Sequence, residues 1–200
     1  MRNTLLFTLG LATITTMFVA QAGPPLICHP YNIGDAKSLP WSTGSGWDAT
    51  DPAYNVQNLV NDTLAILDQS PTVLVRMETL RRAVLYGVQD HAAARTLLAQ
   101  LKDRETAKPI AVTYFDYGYF LASLNQIHWL YKEDLSAGID GYQFIEKALA
   151  LAPDSPEMHF AAAIMATSPS RPTERDQHLA KARAAKSDTL LAQNLATHFQ

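Results

Sequence analysis

The sequence predicts an all-α domain, and three observations support this fold class. From residue 51 onward, apolar residues recur every three or four positions, which is the period of one helix face. A capping residue precedes a proline at Asp51-Pro52, Ser70-Pro71 and Ser155-Pro156, a pattern typical of helix starts. No stretch alternates apolar and polar residues over the length of a half-buried strand. We therefore expect antiparallel helical hairpins, stacked as a short α/α array and preceded by an extended N-terminal arm.

Eight helices are predicted between residue 51 and the end of the chain. The first starts at Asp51-Pro52 and continues past Leu67, and the second runs from Ser70-Pro71 to Gly87. The remaining six cover about 90–104, 110–132, 139–151, 156–167, 173–186 and 188–199. The 110–132 helix is rich in aromatic residues and apolar on most sides, so we expect it to be central.

Residues 1–22 have the pattern of a cleaved signal peptide. Arg2 is followed by an uncharged, mostly apolar run from Leu5 to Ala20, and Ala20-Gln21-Ala22 supplies the small residues that signal peptidase accepts. We expect cleavage between Ala22 and Gly23, no membrane span afterwards, and a periplasmic or secreted protein. A membrane anchor is the alternative, although the run is short for a span of about 20 residues.

Residues 23–50 differ in composition from the helical domain of residues 51–200. Prolines and glycines occur too densely for a regular helix or strand. Yet the segment also contains large apolar side chains, including Trp41 and Trp47, which a disordered linker would lack. We expect an extended arm that lies on the helices. The two tryptophans are either anchors for a partner or contacts that hold the arm down.

Two segments of the C-terminal half repeat with a period of 34 residues. Residues 147–154, Lys-Ala-Leu-Ala-Leu-Ala-Pro-Asp, align without gaps to residues 181–188, Lys-Ala-Arg-Ala-Ala-Lys-Ser-Asp. This region resembles the tetratricopeptide repeat family, whose repeat has that length. The resemblance implies stacked helical hairpins, most clearly over 139–165. The opening of residues 23–30 also resembles that of uncharacterised secreted bacterial proteins, which implies no activity.

Composition and motifs narrow the class of function. The chain carries a formal net charge of −3, whereas sequence-independent nucleic-acid binding requires dense positive charge. Neither a glycine-rich phosphate loop nor a serine nucleophile elbow occurs. We therefore expect a non-enzymatic protein without a cofactor, whose partner is a protein or a peptide in the cell envelope.

Cys28-His29 is the sharpest candidate for chemistry. A thiolate beside an imidazole could bind copper or zinc, or form a mixed disulfide with a partner. Cys28 is the only cysteine, so a complete metal site would need other ligands. A periplasmic metal- or thiol-handling protein is therefore the alternative function. Cys28 could also be an inert thiol buried where the arm docks, or a lipidation site, which the bulky Ile27 disfavours.

The second predicted helix carries a cluster of charges. Arg76, Arg81 and Arg82 could form a patch that binds an anion or an acidic peptide. Glu78 lies three and four residues before Arg81 and Arg82, a spacing that also suits ordinary pairing on a helix surface. The sequence leaves both interpretations open.

Overall fold

The computed structural model describes residues 25–42, 46–69, 71–167, 171–185 and 189–199. Throughout these ranges the regular structure is helical, and none of the described residues lies in a strand. The all-α prediction is confirmed to that extent. The predicted signal peptide and its cleavage site between Ala22 and Gly23 lie outside the described residues. Within the described ranges, no helix has the length and apolar character needed to cross a bilayer.

A short 3-10 turn, Val56–Asn58, precedes the α-helices. The α-helices are α1 Leu59–Asp68, α2 Val73–Gly87, α3 His91–Ala107, α4 Ala111–Gln126, α5 His128–Tyr131, α6 Tyr142–Leu151, α7 Pro156–Met165, α8 Pro172–Arg183 and α9 Thr189–His198.

Side-chain caps determine several helix starts. The Asp90 carboxylate accepts from the backbone N–H groups of the first turn of α3, and the Ser155 hydroxyl does the same for α7, whose first residue is Pro156. The start predicted at Asp51-Pro52 is wrong. Residues 51–55 form turns, and the helical backbone begins after Asn55, whose side chain accepts from the N–H of Gln57.

The predicted 110–132 helix is interrupted at Ile127. This residue leaves the helical conformation, with φ −122° and ψ 23°, and α5 follows it for one turn. The break lets Tyr131 turn inward, where its hydroxyl donates to the carbonyl of Val84 in α2. Trp129 is left 55 % exposed. The prediction of one continuous helix is therefore wrong, and a tertiary contact accounts for the change.

The centre of the domain is formed by α2 and α4. Every residue of α2 except Arg82 is buried, and the helix contacts α1, α3, α4 and α7. α4 also packs against α6, where Gly118 and Gly141 bring the two backbones together. A Cβ atom on Gly118 would lie 2.7 Å from the carbonyl oxygen of Gly141, so only glycine permits this crossing.

The N-terminal segment, residues 25–42 and 46–50, has no helix and lies against the helical body. Leu26, Ile27 and Leu39 are completely buried. The backbone N–H of Leu26 donates to the Gln126 side chain in α4. The Asn194 side chain in α9 both accepts from the N–H of Asn32 and donates to its carbonyl. The segment thus joins the first and last parts of the fold.

Candidate functional site

Glu78, Arg81 and Arg82 of α2 form a buried cluster, here called the ionic hub. Glu78 and Arg81 are fully buried, and Arg82 is partly exposed. The Glu78 carboxylate accepts from Nε and Nη2 of Arg81, at 2.8 and 2.9 Å, and from Nε of Arg82, at 2.7 Å. It also accepts from the backbone N–H of Tyr31, at 3.0 Å. Two positive charges therefore share one buried negative charge.

Other guanidinium N–H groups of the hub bind backbone carbonyls of the N-terminal segment. Nη1 of Arg81 donates to the carbonyls of Ile27, at 3.1 Å, and Trp47, at 2.9 Å. Nη1 of Arg82 donates to the carbonyl of Leu39, at 2.5 Å. Charge-assisted hydrogen bonds of this kind are strong, so these three carbonyls and the Tyr31 N–H fix four points of the segment on α2.

Arg76 and Arg81 are buried, so they do not form the exposed patch that was one of the two interpretations of the sequence. Arg81 is directed into the hub, and Arg76 lies near the start of α2, where Nη1 contacts the Asp116 carboxylate at 2.5 Å. Apolar residues of α2 lie on every side of the helix, as Leu74, Val75 and Leu80 show. In the sequence, this distribution already indicates a helix without a solvent-exposed face on which a patch could form.

Trp41 and Trp47 are half-buried and pack against the hydrophobic core. The Trp41 ring lies 4.7 Å below the Arg81 guanidinium carbon and meets the Tyr86 ring edge-on, with 6.1 Å between centroids. A cation over an indole face stabilises both groups. In this structure Trp41 therefore holds the N-terminal segment against α2, and Trp47 packs on the core and accepts from Arg81 through its carbonyl.

A groove of about 650 Å³ opens between the N-terminal segment and the first two helices. We call it the 36–40 groove, after the residues that form one wall; α1 and the start of α2 form the other. Its apolar lining includes Leu39, Ile66 and Val75, and its polar lining includes Lys37 and Asp62. Its volume exceeds those of three other cavities in the described part of the chain, which are about 250, 440 and 350 Å³. Sequence reasoning missed it, because its walls are about 30 residues apart in the chain.

The structure places Cys28 and His29 at the opposite end of the segment, near α9. Cys28 is partly buried, and this burial raises the pKa of its thiol, which disfavours the thiolate needed for metal binding or nucleophilic attack. The exposed His29 ring lies 5.5 Å from the ring of His198. Burial and the neighbouring His29 lower the pKa of His198 to about 4. Among the described residues, no group of three or more His, Cys, Asp or Glu side chains could hold a metal ion.

A chain of hydrogen bonds through His159 and His178 was also missed. The two imidazoles contact through their Nδ1 atoms, and His178 continues to the Tyr142 hydroxyl. The sequence interval between the histidines, 19 residues, matches no local helix spacing. Only the packing of α7 against α8 brings them together.

Comparisons with known proteins leave the site to be interpreted from its own geometry. No protein-family model matches the chain, and no curated protein or solved structure shows significant similarity to it.

Proposed function

We propose that this chain is an exported, non-enzymatic helical-repeat protein that binds an extended segment of a partner protein in the 36–40 groove. The observation that carries the proposal is the groove itself, an open channel of about 650 Å³ whose lining is more apolar than polar. Apolar side chains of a peptide would fill such a channel, and burial of apolar area would supply most of the binding free energy.

The ionic hub supports this proposal because it preforms one wall of the groove. Leu39 is held through its carbonyl by Arg82, and the next carbonyl, that of Pro40, accepts from the Tyr86 hydroxyl at 2.7 Å. The Ser38 hydroxyl contacts the hydroxyl of Thr79 at 2.9 Å. A wall that is already ordered costs a ligand little conformational entropy, so modest contacts suffice for specific binding.

The two walls of the groove carry charges of opposite sign. Lys37 lies on the segment wall, and Asp62 lies on the α1 wall, where it accepts from the Tyr54 hydroxyl at 2.9 Å. The matching peptide would carry apolar side chains together with an acidic residue near Lys37 and a basic residue near Asp62. Opposite charges placed in this way set orientation and register more than they add affinity.

The architecture that we propose is a tetratricopeptide-like stack of hairpins, with the extended arm lying on it. Helices adjacent in sequence contact one another, as α1 and α2, α3 and α4, and α7 and α8 do, and next neighbours such as α2 and α4 also touch. This pattern is expected of helical hairpins that share one continuous core. Export through residues 1–22 belongs to the same proposal, and N-terminal sequencing of the processed protein would reveal a start at Gly23.

A photo-crosslinking experiment tests the groove. A benzophenone amino acid replaces Ala65, an exposed residue of the groove wall, or Gln100, an exposed residue of α3 outside it. Cells expressing either protein are irradiated, and the adducts are identified by mass spectrometry. We expect a defined adduct from position 65 that is lost when Ile66→Asn also changes the groove wall. Identical adducts from both positions, or an adduct insensitive to Ile66→Asn, would refute the proposal.

A further inference from the structure

A second cavity, of about 350 Å³, lies where the ends of α1 and α3 meet the start of α4. Its lining includes five charged residues, Asp68, Arg76, Arg104, Lys108 and Asp116. Three are basic and two are acidic, and they come from α1, α2, α3, the α3–α4 connection and α4. This cavity is separate from the 36–40 groove and plays no part in the function proposed above.

The floor of the cavity is an incomplete ion pair. Arg76 and Asp116 are 4 % and 3 % exposed, and a single contact joins Nη1 of Arg76 to Oδ2 of Asp116. Nη2 of Arg76 donates to the carbonyl of Leu67. Nε of Arg76 and Oδ1 of Asp116 are buried and have no hydrogen-bond partner in the described part of the chain. Buried polar atoms nearly always have hydrogen-bond partners, so this unpaired donor and this unpaired acceptor indicate a binding site for a ligand.

The N-terminus of α4 opens onto the same cavity. Its N-cap residue is Ile110, which has no side-chain acceptor, and Val112 of the first turn lines the cavity. The first N–H groups of a helix lack partners one turn earlier and carry partial positive charge. In α4 the N–H of Thr113 already donates to the Ile110 carbonyl, so the groups concerned are those of Ala111 and Val112. An oxyanion is the natural partner for such groups.

We propose that this cavity binds the phosphate group of a small molecule. The phosphate oxygens would accept from Arg76, from Lys108 and from the guanidinium N–H groups of Arg104 other than Nη2, which already donates to Asp68. The P–OH group of the monoprotonated form would donate to Oδ1 of Asp116. Sulfate cannot make that last hydrogen bond at neutral pH, because it has no proton to donate. The apolar part of the lining, including Ala107 and Ile110, would contact an organic substituent on the phosphate.

The groups that face Asp116 make the site sensitive to pH. Burial raises the pKa of Asp116 to about 6, with Arg76 and Arg104 opposing the shift and Asp68 adding to it. Phosphate monoesters take up their second proton at about pH 6. Near pH 7 the carboxylate and the bound phosphate would share one proton, so binding should be accompanied by proton uptake.

Calorimetric titration at pH 7 with phenyl phosphate, inorganic phosphate and inorganic sulfate tests this inference. We expect phenyl phosphate to bind with proton uptake, detected as a dependence of the heat on buffer ionisation enthalpy. Sulfate should bind about tenfold more weakly or not at all. Inorganic phosphate that binds as tightly as phenyl phosphate would also support the site and would identify free phosphate as its ligand. No binding of either phosphate, or equal binding of sulfate, would overturn it.

Three variants test the residues. Arg104→Gln or Lys108→Ala should weaken phenyl phosphate binding about tenfold, since each removes a charged hydrogen-bond donor. Lys102→Ala, an exposed change on the same helix, should not. Asp116→Asn keeps the acceptor for Arg76 and replaces Oδ1 by an N–H donor, so this variant should gain sulfate binding. That gain cannot arise from simple misfolding, and unchanged sulfate binding in the folded variant would refute the role of Asp116.

Discussion

His159 and His178 contact each other through their Nδ1 atoms, which lie 2.9 Å apart. The other ring nitrogen of His159 lies 2.8 Å from the carbonyl of Pro153, which can only accept a hydrogen bond. His159 is therefore protonated at Nε2 and accepts at Nδ1, so His178 donates from its Nδ1. Nε2 of His178 then accepts from the Tyr142 hydroxyl, at 3.0 Å. Both imidazoles are neutral in this arrangement. If each ring took up a second proton, two Nδ1–H groups would face each other and the hydrogen bond between the rings would be lost.

The histidine pair predicts a loss of stability in acid. Burial, and then the neighbouring His159 and Lys181, lower the pKa of His178 to about 4, and burial also lowers the pKa of His159. The unfolded chain, with histidine pKa near 6.5, binds these protons first. The stabilisation is therefore complete above about pH 6.5 and is lost as the pH falls towards 4. We expect the free energy of unfolding of the wild type to exceed that of His178→Gln by less at pH 4.5 than at pH 7.5.

Urea denaturation across this pH range measures that difference. Because the raised pKa of Asp116 acts in the opposite direction in both proteins, its contribution cancels. His128→Gln, which changes an exposed histidine, is the control. A difference between wild type and His178→Gln that stays constant with pH would contradict the assigned protonation.

The ionic hub predicts a large effect of one neutral substitution. Glu78→Gln would leave Arg81 buried without a balancing charge, and removing one partner of a buried pair costs about 3–5 kcal/mol. The control is Glu133→Gln, because Glu133 pairs with Arg95 at an exposed position, where such a pair is worth about 0.2–1 kcal/mol. Urea denaturation at neutral pH would compare the two. Similar small losses in both variants would show that the hub contributes nothing beyond a surface pair.

The hydrogen bonds of Asn194 with Asn32 should determine how firmly the N-terminal segment is held. Its Oδ1 accepts from the N–H of Asn32, and its Nδ2 donates to the Asn32 carbonyl, each at 2.8 Å. Asn194→Ala removes both bonds, so the amide hydrogen of Asn32 should exchange at least tenfold faster, the equivalent of about 1.4 kcal/mol. Hydrogen exchange followed by NMR measures this rate. Thr197→Ala, an exposed change in the same helix, should leave it unaltered, and an equal rise in both variants would instead indicate loosening of α9.

The crossing of α4 and α6 predicts intolerance of a single methyl group. Gly141→Ala would push its Cβ into the backbone of Gly118 and Ala122, neither of which can rotate away. We expect a loss at the upper end of the usual range for overpacking, about 3 kcal/mol. Gly138→Ala is the matched control, because nothing lies within 4 Å of its Cβ position. Its cost should stay near 1 kcal/mol, owing to a positive φ of 73°. Thermal unfolding of both proteins decides between these expectations.

The helical framework was largely predictable because its signals are local. The pairing of Ser155 with Pro156, and the apolar stripes that follow each cap, lie within one or two turns of the helix they define. The interruption at Ile127 could not be read in the same way. It depends on Tyr131 reaching Val84, a residue 47 positions earlier in the chain.

The candidate sites were less predictable, because the sequence spacing of charged residues does not show whether they are exposed or buried. Arg81 and Glu78 have the spacing of a surface pair, and only the docking of the N-terminal segment removes them from water. The 36–40 groove has no sequence signature at all, since it exists only between two elements.

By itself, the sequence determined the all-α class, most helix positions and the distinct composition of residues 23–50, because helix periodicity and capping are properties of neighbouring residues. The tertiary structure alone decided which charges are buried, which histidines meet and where cavities remain. Those features depend on contacts such as the one between the Tyr31 backbone and Glu78, 47 residues apart. Contacts of that range form only when the whole chain packs, and local sequence patterns carry no information about their geometry.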